Sequence, residues 1–276
     1  MTACWGYLGD GGALVPITGA QAGLSVSPAR PSEDFVSALG VRSAFSAPRA
    51  PRTWSITLSP WSDPSLVSVL RMAAAGALRY GLLGGPSLYA ADAAAVNMLP
   101  DYIADPSIPL GEWGAASGTV NAPIAYGVSM ALPAYGSTGA VVWSRYLPIL
   151  PGTLYTLSAI TAGAGTLYSV EIRNAAMSSV LTTALTSPAS AGAPRALSTS
   201  FTTPADGAWL RIARGATMPA STGPRLVEGA GADYWYWQPG QGVPLVQVLD
   251  PQYVIQSTAG GKVRADFTVT LQEVGL

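Results

Sequence analysis

Histidine is absent from this chain of 276 residues, and Cys4 is the only cysteine. Because histidine is the commonest general base and metal ligand, its absence excludes any Ser-His or Cys-His nucleophile system. A single cysteine permits neither an intramolecular disulfide nor a zinc site built on thiolates. The missing histidine and the absence of a nucleophile motif disfavour an enzyme.

Charged residues are also scarce, at 11% of the chain with a net charge of −1, against a typical charged share of about 25%. No basic cluster stands out, so we expect no surface that follows nucleic-acid phosphates. Isolated soluble monomers usually carry more charge than this. We therefore expect neighbouring subunits to cover part of the surface.

Long apolar runs are missing as well, since glycine, proline or arginine interrupts them well before the roughly 20 residues that a membrane span needs. The N-terminal segment does not combine a basic start with an apolar run, as a secretory signal would. We expect a protein made in the cytoplasm without a signal peptide and without membrane insertion.

Glycine and proline are plentiful, at 31 and 23 residues, and they accompany eight tryptophans and twelve tyrosines. Disordered chains lack such aromatic residues. The composition instead favours many short strands separated by tight turns, and hence a mainly β fold.

The strongest strand pattern lies near the end of the chain, where apolar and polar residues alternate strictly over Val263–Glu273. Arg52–Leu58 alternates bulky with small polar residues and is the predicted partner in one sheet. If the two ends of the chain share a sheet, the middle is an insertion, which surface loops tolerate. One helix is predicted over Ser65–Leu78, after the N-cap Asp63.

The middle of the chain contains strand candidates at the spacing typical of a β-sandwich. A serine- and threonine-rich segment, Ser178–Ala193, is predicted to be a long connection. Pro151-Gly152 predicts a tight turn, and Asp206-Gly207 predicts a hairpin turn. The predicted strands are Ala125–Ala131, Gly139–Leu147, Leu154–Thr161, Leu167–Arg173, Ala196–Phe201 and Ala208–Ala213.

Four segments in this region resemble the family-4/9-like carbohydrate-binding modules, which are jelly-roll β-sandwiches. They cover about half of the chain, in the order expected for the family. The segments are Asn97-Met98-Leu99-Pro100 with Trp113, Pro151–Ser158 (PGTLYTLS), Phe201–Ile212 (FTTPADGAWLRI) and Arg225–Gly229 (RLVEG), with Tyr234–Pro239 as the aromatic exit.

The flanking segments are similar to tail-hub proteins of long-tailed phages of actinobacteria, in Arg52–Ile56 and in Phe267–Gly275. This resemblance implies a ring of six or three copies, contacts with other tail proteins, and a place at the tail tip of a virion made in the host cytoplasm. The predicted organisation is a jelly-roll β-sandwich at residues 91–240, inserted into a smaller β-rich tail-hub domain formed by residues 1–90 and 241–276.

Aromatic rings exposed on a sandwich form the usual platform for sugars, because a pyranose stacks its C–H face on a ring while polar groups bind its hydroxyls. An arginine next to Trp143 on the same strand face argues against complete burial of that face. The alternative for each tryptophan is a place in the core. The candidate glycan-binding residues are Trp113, Trp143, Arg145, Tyr168 and Arg173.

Four consecutive aromatic residues lie at the junction of the two domains, and no single strand face can bury all of them. They are predicted to form an interface that wedges the sandwich against the hub, with a ligand platform as the alternative. These residues are Tyr234, Trp235, Tyr236 and Trp237.

The carboxylates of the module do not form an obvious catalytic pair. Asp101 and Asp105 offer the oxygen ligands that structural Ca²⁺ uses in related jelly rolls, but no cofactor or metal is predicted. The other carboxylates of the module belong to Glu112, Glu171, Asp206, Glu228 and Asp233.

The leading hypothesis is a non-enzymatic virion tail protein whose sandwich contacts glycans of the host cell envelope. The alternatives are a free lectin-like protein, a glycan-degrading enzyme, and a tail protein whose sandwich no longer binds sugar and serves as a spacer.

Overall fold

The computed structural model describes residues 4–10, 13–18, 25–28, 32–36, 42–46, 52–58, 70, 89–92, 97–104, 119–126, 130–138, 142–161, 163–188, 194–214, 217–230, 246–259 and 262–274. These residues are almost entirely strand, which confirms the prediction of a mainly β fold. Their strands and short helix are β1 (Cys4–Asp10), β2 (Ala13–Thr18), β3 (Ser25–Pro28), β4 (Ser32–Val36), β5 (Arg42–Ser46), β6 (Arg52–Leu58), β7 (Tyr89–Asp92), α1 (Asp101–Ala104), β8 (Thr119–Tyr126), β9 (Met130–Thr138), β10 (Val142–Trp143), β11 (Leu147–Pro148), β12 (Leu154–Thr161), β13 (Gly165–Asn174), β14 (Ser179–Ser187), β15 (Arg195–Thr202), β16 (Gly207–Arg214), β17 (Thr217–Glu228), β18 (Val246–Ala259) and β19 (Lys262–Glu273).

Contacts within the chain divide it into two compact units. One unit gathers both ends of the chain, as Met1–Asp10, Val15–Ala90 and Pro244–Leu276. The other comprises Gly11–Leu14 and Ala91–Val243, the middle of the chain. Among the described residues, no helix has the length and apolar character that a membrane crossing requires.

A four-stranded antiparallel sheet joins the two ends of the chain in the order β18-β19-β6-β3, and we call it the terminal sheet. Along β19 and β6, the paired residues Phe267 and Leu58, Val269 and Ile56, and Leu271 and Trp54 are all buried. The predicted pairing of Arg52–Leu58 with the last strand is therefore confirmed. The period-two pattern places these six large apolar side chains on one face.

Strand β18 is a single strand of 14 residues. Its pairing with β19 shifts register between Leu249 and Gln252. Pro251 lies within this shift, and a proline has no N–H to contribute to the ladder. The irregularity therefore accommodates the proline without ending the strand.

Two five-stranded antiparallel sheets form the sandwich. The front sheet has the order β10-β16-β13-β14, with β11 also paired to β16, and the back sheet has the order β15-β12-β17-β9-β8. The hydroxyl groups of Tyr168 on β13 and Ser221 on β17 lie 3.3 Å apart and join the two sheets. The buried core between the sheets includes Tyr155, Leu157, Phe201, Val170, Ile172, Leu210 and Ile212.

Several strand predictions in the sandwich were wrong. Ser178–Ala193 is not a connection, because most of it forms β14, where exposed Thr182, Ala184 and Thr186 alternate with buried Leu185. The predicted strand Ala125–Ala131 straddles the end of β8 and the start of β9. Strand β14 was not predicted because its solvent-facing residues are small and weakly polar. The difference in polarity between alternate residues is therefore too small to indicate a strand.

The turn at Asp206-Gly207 exists, but it does not make a hairpin. The Gly207 N–H donates to the Pro204 carbonyl at 2.9 Å. Strand β15 before this turn belongs to the back sheet, and β16 after it belongs to the front sheet. The turn therefore carries the chain from one sheet to the other.

Two of the sequence motifs bind each other through Thr203, which is buried. The Thr203 hydroxyl donates to the Leu150 carbonyl at 2.6 Å and accepts from the Thr153 N–H at 2.8 Å. Gly152, at φ +63°, forms the predicted turn beside it, in a conformation that favours glycine. The segments Pro151–Ser158 and Phe201–Ile212 thus form one tied corner of the sandwich.

Asn97 gives the first motif of the module, Asn97-Met98-Leu99-Pro100, a structural role. Its buried side-chain amide donates to the Pro224 carbonyl at 3.0 Å and accepts from the Leu226 N–H at 3.1 Å. The register of β17 against β12 shifts close to these residues. Together with the Met98 N–H, which donates to the Leu226 carbonyl at 2.8 Å, Asn97 therefore satisfies buried backbone groups of β17.

The remaining described strands form the three-stranded sheet β2-β1-β7 and the pair β4-β5. Of the predicted helix Ser65–Leu78, the structure describes Leu70, which is helical and fully buried. The other residues of that prediction lie outside the described part of the chain.

Candidate functional site

The outer face of the front sheet carries charged side chains at its centre. On β13 and β16, Val170, Ile172 and Leu210 point into the core. Because side chains alternate along a strand, Glu171 and Arg211 lie on the opposite face. These two residues are direct partners across the two strands.

Glu171 is held by two arginines. Its carboxylate accepts hydrogen bonds from Nε of Arg211 and, at 3.1 Å, from Nε of Arg173. Arg173 is fixed further by its Nη1, which donates to the Met177 carbonyl at 3.0 Å. Burial raises the pKa of Glu171, but the hydrogen bonds from Arg211 and Arg173 outweigh burial and hold that pKa below its ordinary value.

Two aromatic rings pack on these guanidinium groups. The Arg211 guanidinium lies 4.1 Å from the ring centre of Trp143 and 5.0 Å from that of Tyr146. Arg173 lies 5.5 Å from the Tyr146 ring centre. These are cation–π distances. We call Trp143, Tyr146, Glu171, Arg173 and Arg211 the aromatic–arginine cluster.

The cluster depends on an interruption between β10 and β11. The Ser144 N–H donates to the Ile212 carbonyl at 2.8 Å, and the Ile212 N–H donates to the Ser144 hydroxyl at 2.9 Å. A side chain thus replaces a backbone carbonyl in the ladder with β16. In a regular strand Trp143 and Tyr146 would face opposite sides, whereas here both rings contact Arg211.

The cluster is open enough for a ligand to reach it. Trp143 and Tyr146 are half-buried, and 20% of the Arg211 side chain is exposed. Within the described part of the chain, no hydrogen bond engages the Tyr146 hydroxyl, the Trp143 indole N–H or the two amino groups of Arg211. Rings and unengaged donors therefore lie together on one surface.

The sequence identified part of this cluster. Trp143 and Arg173 were both predicted as ligand residues and lie in it, and Arg145 is exposed between Ser144 and Tyr146. Arg211 and Tyr146 were not predicted, and Glu171 was predicted only as one carboxylate of the module, without a role in binding. Tyr146 was not predicted as a ligand residue because, in an unbroken strand Gly139–Leu147, it would lie on the face opposite Trp143.

The assignment of Tyr168 as a ligand residue is corrected by its burial. Tyr168 is 0% exposed and its hydroxyl faces Ser221. A ring without an open face offers nothing for a sugar to stack on, so Tyr168 is a core residue. Ser169 and Glu171 lie on the outer face of β13, so Tyr168 lies on the inner face. A register shift in the pairing of β13 with β14 occurs between Thr166 and Tyr168.

Other predicted site residues lie outside the described part of the chain: Trp113, Tyr234, Trp235, Tyr236, Trp237, Asp105, Glu112 and Asp233. Asp206 is exposed in its turn, and Glu228 is exposed at the end of β17. Among the described residues, no three histidine, cysteine, aspartate or glutamate side chains come together as a metal site would require.

Trp209 extends the outer face of the front sheet. It is half-buried and pairs with Arg173 across β13 and β16. Its position puts a third aromatic side chain on the surface that carries the cluster.

No protein-family model matches the sequence, and no curated protein matches it. Solved structures that the chain matches weakly include the enzymatically active domain of tailspike protein 4 of bacteriophage CBA120. That domain is 12% identical, with a TM-score of 0.34, over 49% of this chain and 22% of the tailspike chain.

Two carbohydrate-related structures are also similar. The CBM22-1–GH10 modules of Clostridium thermocellum xylanase 10B, complexed with xylohexaose, are 11% identical, with a TM-score of 0.31, over 44% of this chain and 26% of that one. A structure described as CBM4 is 14% identical, with a TM-score of 0.29, over 48% of this chain and 94% of that one. Scores this low do not transfer a function, so the functional argument rests on the geometry of the cluster.

Proposed function

We propose that the sandwich binds carbohydrate on the outer face of its front sheet, and that the chain is a structural protein of a virion tail. The observation that carries the first part is the aromatic–arginine cluster. Two half-open rings lie beside polar groups that no described residue engages. A pyranose requires this combination of an apolar surface for its C–H groups and hydrogen-bonding groups for its hydroxyls.

The cluster is also rigid before any ligand arrives. Glu171 holds both guanidinium groups, and Arg211 in turn contacts both rings. Side chains that are already ordered lose little conformational entropy on binding. This preorganisation favours a binding surface over a set of mobile surface residues.

A binding protein fits the cluster better than a glycosidase does. A glycosidase needs a carboxylic acid whose pKa is raised so that it can protonate the leaving oxygen. The pKa of Glu171 is instead held low by its two arginines. We therefore propose a protein without catalytic activity.

The tail role rests on the sequence and on the terminal sheet. Charged residues make up only 11% of the chain, as expected if neighbouring subunits cover its surface. Of the segments similar to tail-hub proteins, Arg52–Ile56 lies on β6, and Phe267–Glu273, the strand part of Phe267–Gly275, lies on its partner β19 in the terminal sheet. We propose that this unit assembles into a ring of six or three copies, and that the sandwich contacts glycan of the host cell envelope.

A glycan array probed with the full chain, followed by calorimetric titration of the hits, tests carbohydrate binding. Trp143→Ala is expected to weaken binding by about tenfold or more, through loss of one stacking surface. Tyr168→Phe is the matched control, since it alters an aromatic residue of the same sheet that is buried in the core. Binding that survives Trp143→Ala unchanged would exclude the proposed surface.

Light scattering and negative-stain imaging of the full chain test the assembly. Rings of six or three copies are expected. On virus particles, antibodies against the chain are expected to label the tail tip. A monodisperse monomer at high concentration that still binds glycan would instead support a free lectin-like protein. Labelled tails without any glycan binding would support a spacer role.

A further inference from the structure

Among the described residues, the aromatic–arginine cluster carries more positive than negative charge. Two guanidinium groups, those of Arg173 and Arg211, face a single carboxylate, that of Glu171. One carboxylate neutralises one guanidinium, so the cluster has a net charge of +1. A purely neutral glycan would leave that charge without a partner on the surface it covers.

The two arginines are not equivalent. Arg173 donates from Nε to Glu171 and from Nη1 to the Met177 carbonyl, and its Nη2 lies 3.0 Å from the Glu171 carboxylate, so its polar atoms are largely engaged. Arg211 donates to Glu171 through Nε, and within the described part of the chain its two amino groups have no hydrogen-bond acceptor. The positive charge available to a ligand therefore belongs to Arg211.

The surroundings of Arg211 suit an oxyanion. The rings of Trp143 and Tyr146 pack on the guanidinium while 20% of the side chain stays exposed. A guanidinium with two amino groups at one edge matches the two oxygens of a carboxylate, and charge-assisted pairs of this kind are stronger than neutral hydrogen bonds.

We infer that the front sheet prefers an acidic saccharide, in which a sugar carboxylate pairs with the amino groups of Arg211 while the sugar ring stacks on Trp143 or Tyr146. The inference rests on the proposed carbohydrate binding and specifies its ligand class. The Tyr146 hydroxyl is the neighbouring group placed to bind an adjacent sugar hydroxyl.

The test uses the full chain and matched oligosaccharide pairs that differ only in the carboxylate. These are oligomers of galacturonate, glucuronate and mannuronate, each with its carboxyl-reduced neutral counterpart. We expect at least one acidic member to bind about tenfold tighter than its neutral partner, as a charge-assisted pair predicts. Raising the salt from about 0.1 M to 1 M should reduce that preference, because screening shortens from about 10 Å to 3 Å.

Two variants separate the charge from the fold. Arg211→Gln should abolish the acidic preference while neutral binding changes less, and Arg211→Lys should retain part of the preference because it keeps the charge without the planar fork. Arg225→Gln, on the back sheet, controls for the loss of one positive charge, and circular dichroism checks that each variant is folded. Neutral members that bind as tightly as acidic ones would overturn this inference and leave carbohydrate binding standing. No binding by any acidic member of the three pairs, together with binding to neutral glycans of the array, would also overturn it, and no binding by any glycan of the pairs or the array would overturn both.

Discussion

An arginine packed on a tryptophan and hydrogen-bonded to a glutamate occurs in both the terminal sheet and the front sheet, with different exposure. In the terminal sheet the Arg52 guanidinium lies 5.1 Å from the ring centre of Trp54. Its Nε donates to Glu273 at 3.1 Å, and its backbone N–H donates to the same carboxylate at 2.9 Å. Trp54 is 2% exposed, so its ring is part of the core.

In the front sheet the same three residue types are Arg211, Trp143 and Glu171, but the tryptophan is half-buried and a second ring, Tyr146, completes the set. The trio of the terminal sheet, Arg52, Trp54 and Glu273, joins strands more than 200 residues apart in sequence. Its aromatic ring, that of Trp54, is buried. Both trios therefore contain the same three residue types with the same kinds of contact. Exposure and the second aromatic ring give one trio a structural role and make the other a candidate for binding.

Replacing each tryptophan with alanine should separate the two roles most clearly. Trp54→Ala is expected to destabilise the terminal sheet by about 3–5 kcal/mol, because it opens a cavity in the core. Trp143→Ala should lower stability by less than about 1.5 kcal/mol, since its ring is only half-buried, while glycan binding falls. Hydrogen exchange followed by mass spectrometry reports each sheet separately. Equal destabilisation by both changes would remove the distinction between the two trios.

Replacing each glutamate with glutamine tests which ion pair matters more for the fold. Glu171→Gln weakens bonds to two arginines and should destabilise the sandwich by about 2 kcal/mol, since hydrogen bonds to charged groups contribute about 1.5–3 kcal/mol each. Glu273→Gln affects one arginine and should have roughly half that effect. Urea unfolding with hydrogen exchange measures both, and a larger effect at Glu273 would contradict this ranking.

Acid should weaken the front sheet through Glu171. Its pKa in the folded state is lowered, so its stabilising effect is complete above the unfolded value of about 4.3 and is lost as the pH falls through the folded value. We expect the native chain to lose more stability below about pH 4.3 than the Glu171→Gln variant does. Parallel unfolding curves of the two proteins across that range would show that Glu171 is not responsible.

The smallest expected effect concerns Met177, whose carbonyl holds Arg173. Met177 has φ +63° and is 38% exposed, a conformation that is strained for a residue with a side chain. Met177→Gly should therefore stabilise the hairpin between β13 and β14 by about 0.5–1 kcal/mol, with glycan binding unchanged because the carbonyl remains. Thermal unfolding measures the gain, and Gly152→Ala, at φ +63°, should shift stability in the opposite direction. A loss of stability in Met177→Gly would show that the side chain contributes more than the strain.

Much of the fold followed from patterns that act within a few residues. The alternation of Val263–Glu273 and of Arg52–Leu58 predicted two strands and their pairing, because only one pairing buries both apolar faces. Leu154–Thr161 was predicted with the bounds that β12 has. Period two and turn residues are local, so one sequence suffices to recognise them.

The aromatic–arginine cluster was predictable only in part, because its members come from three separate segments. Trp143 and Arg173 stood out as residue types, but nothing in the sequence places Arg211 between Trp143 and Tyr146. That contact arises from the register of β16 against β13 and from the Ser144 hydroxyl, which interrupts the pairing with β16. The prediction of Tyr168 as a ligand residue was wrong because the packing of the two sheets, which the sequence does not reveal, puts its face on the inner side.

The sequence by itself determined a mainly β chain, the pairing of its two ends in one sheet, and the turns at Gly152 and Gly207, because alternation and backbone conformation are properties of neighbouring residues. The tertiary structure alone decided which tryptophan is core and which is open, and it alone brought Arg211, Glu171 and Tyr146 together. Burial and charge pairing depend on groups distant in sequence, and strand register sets where those groups meet.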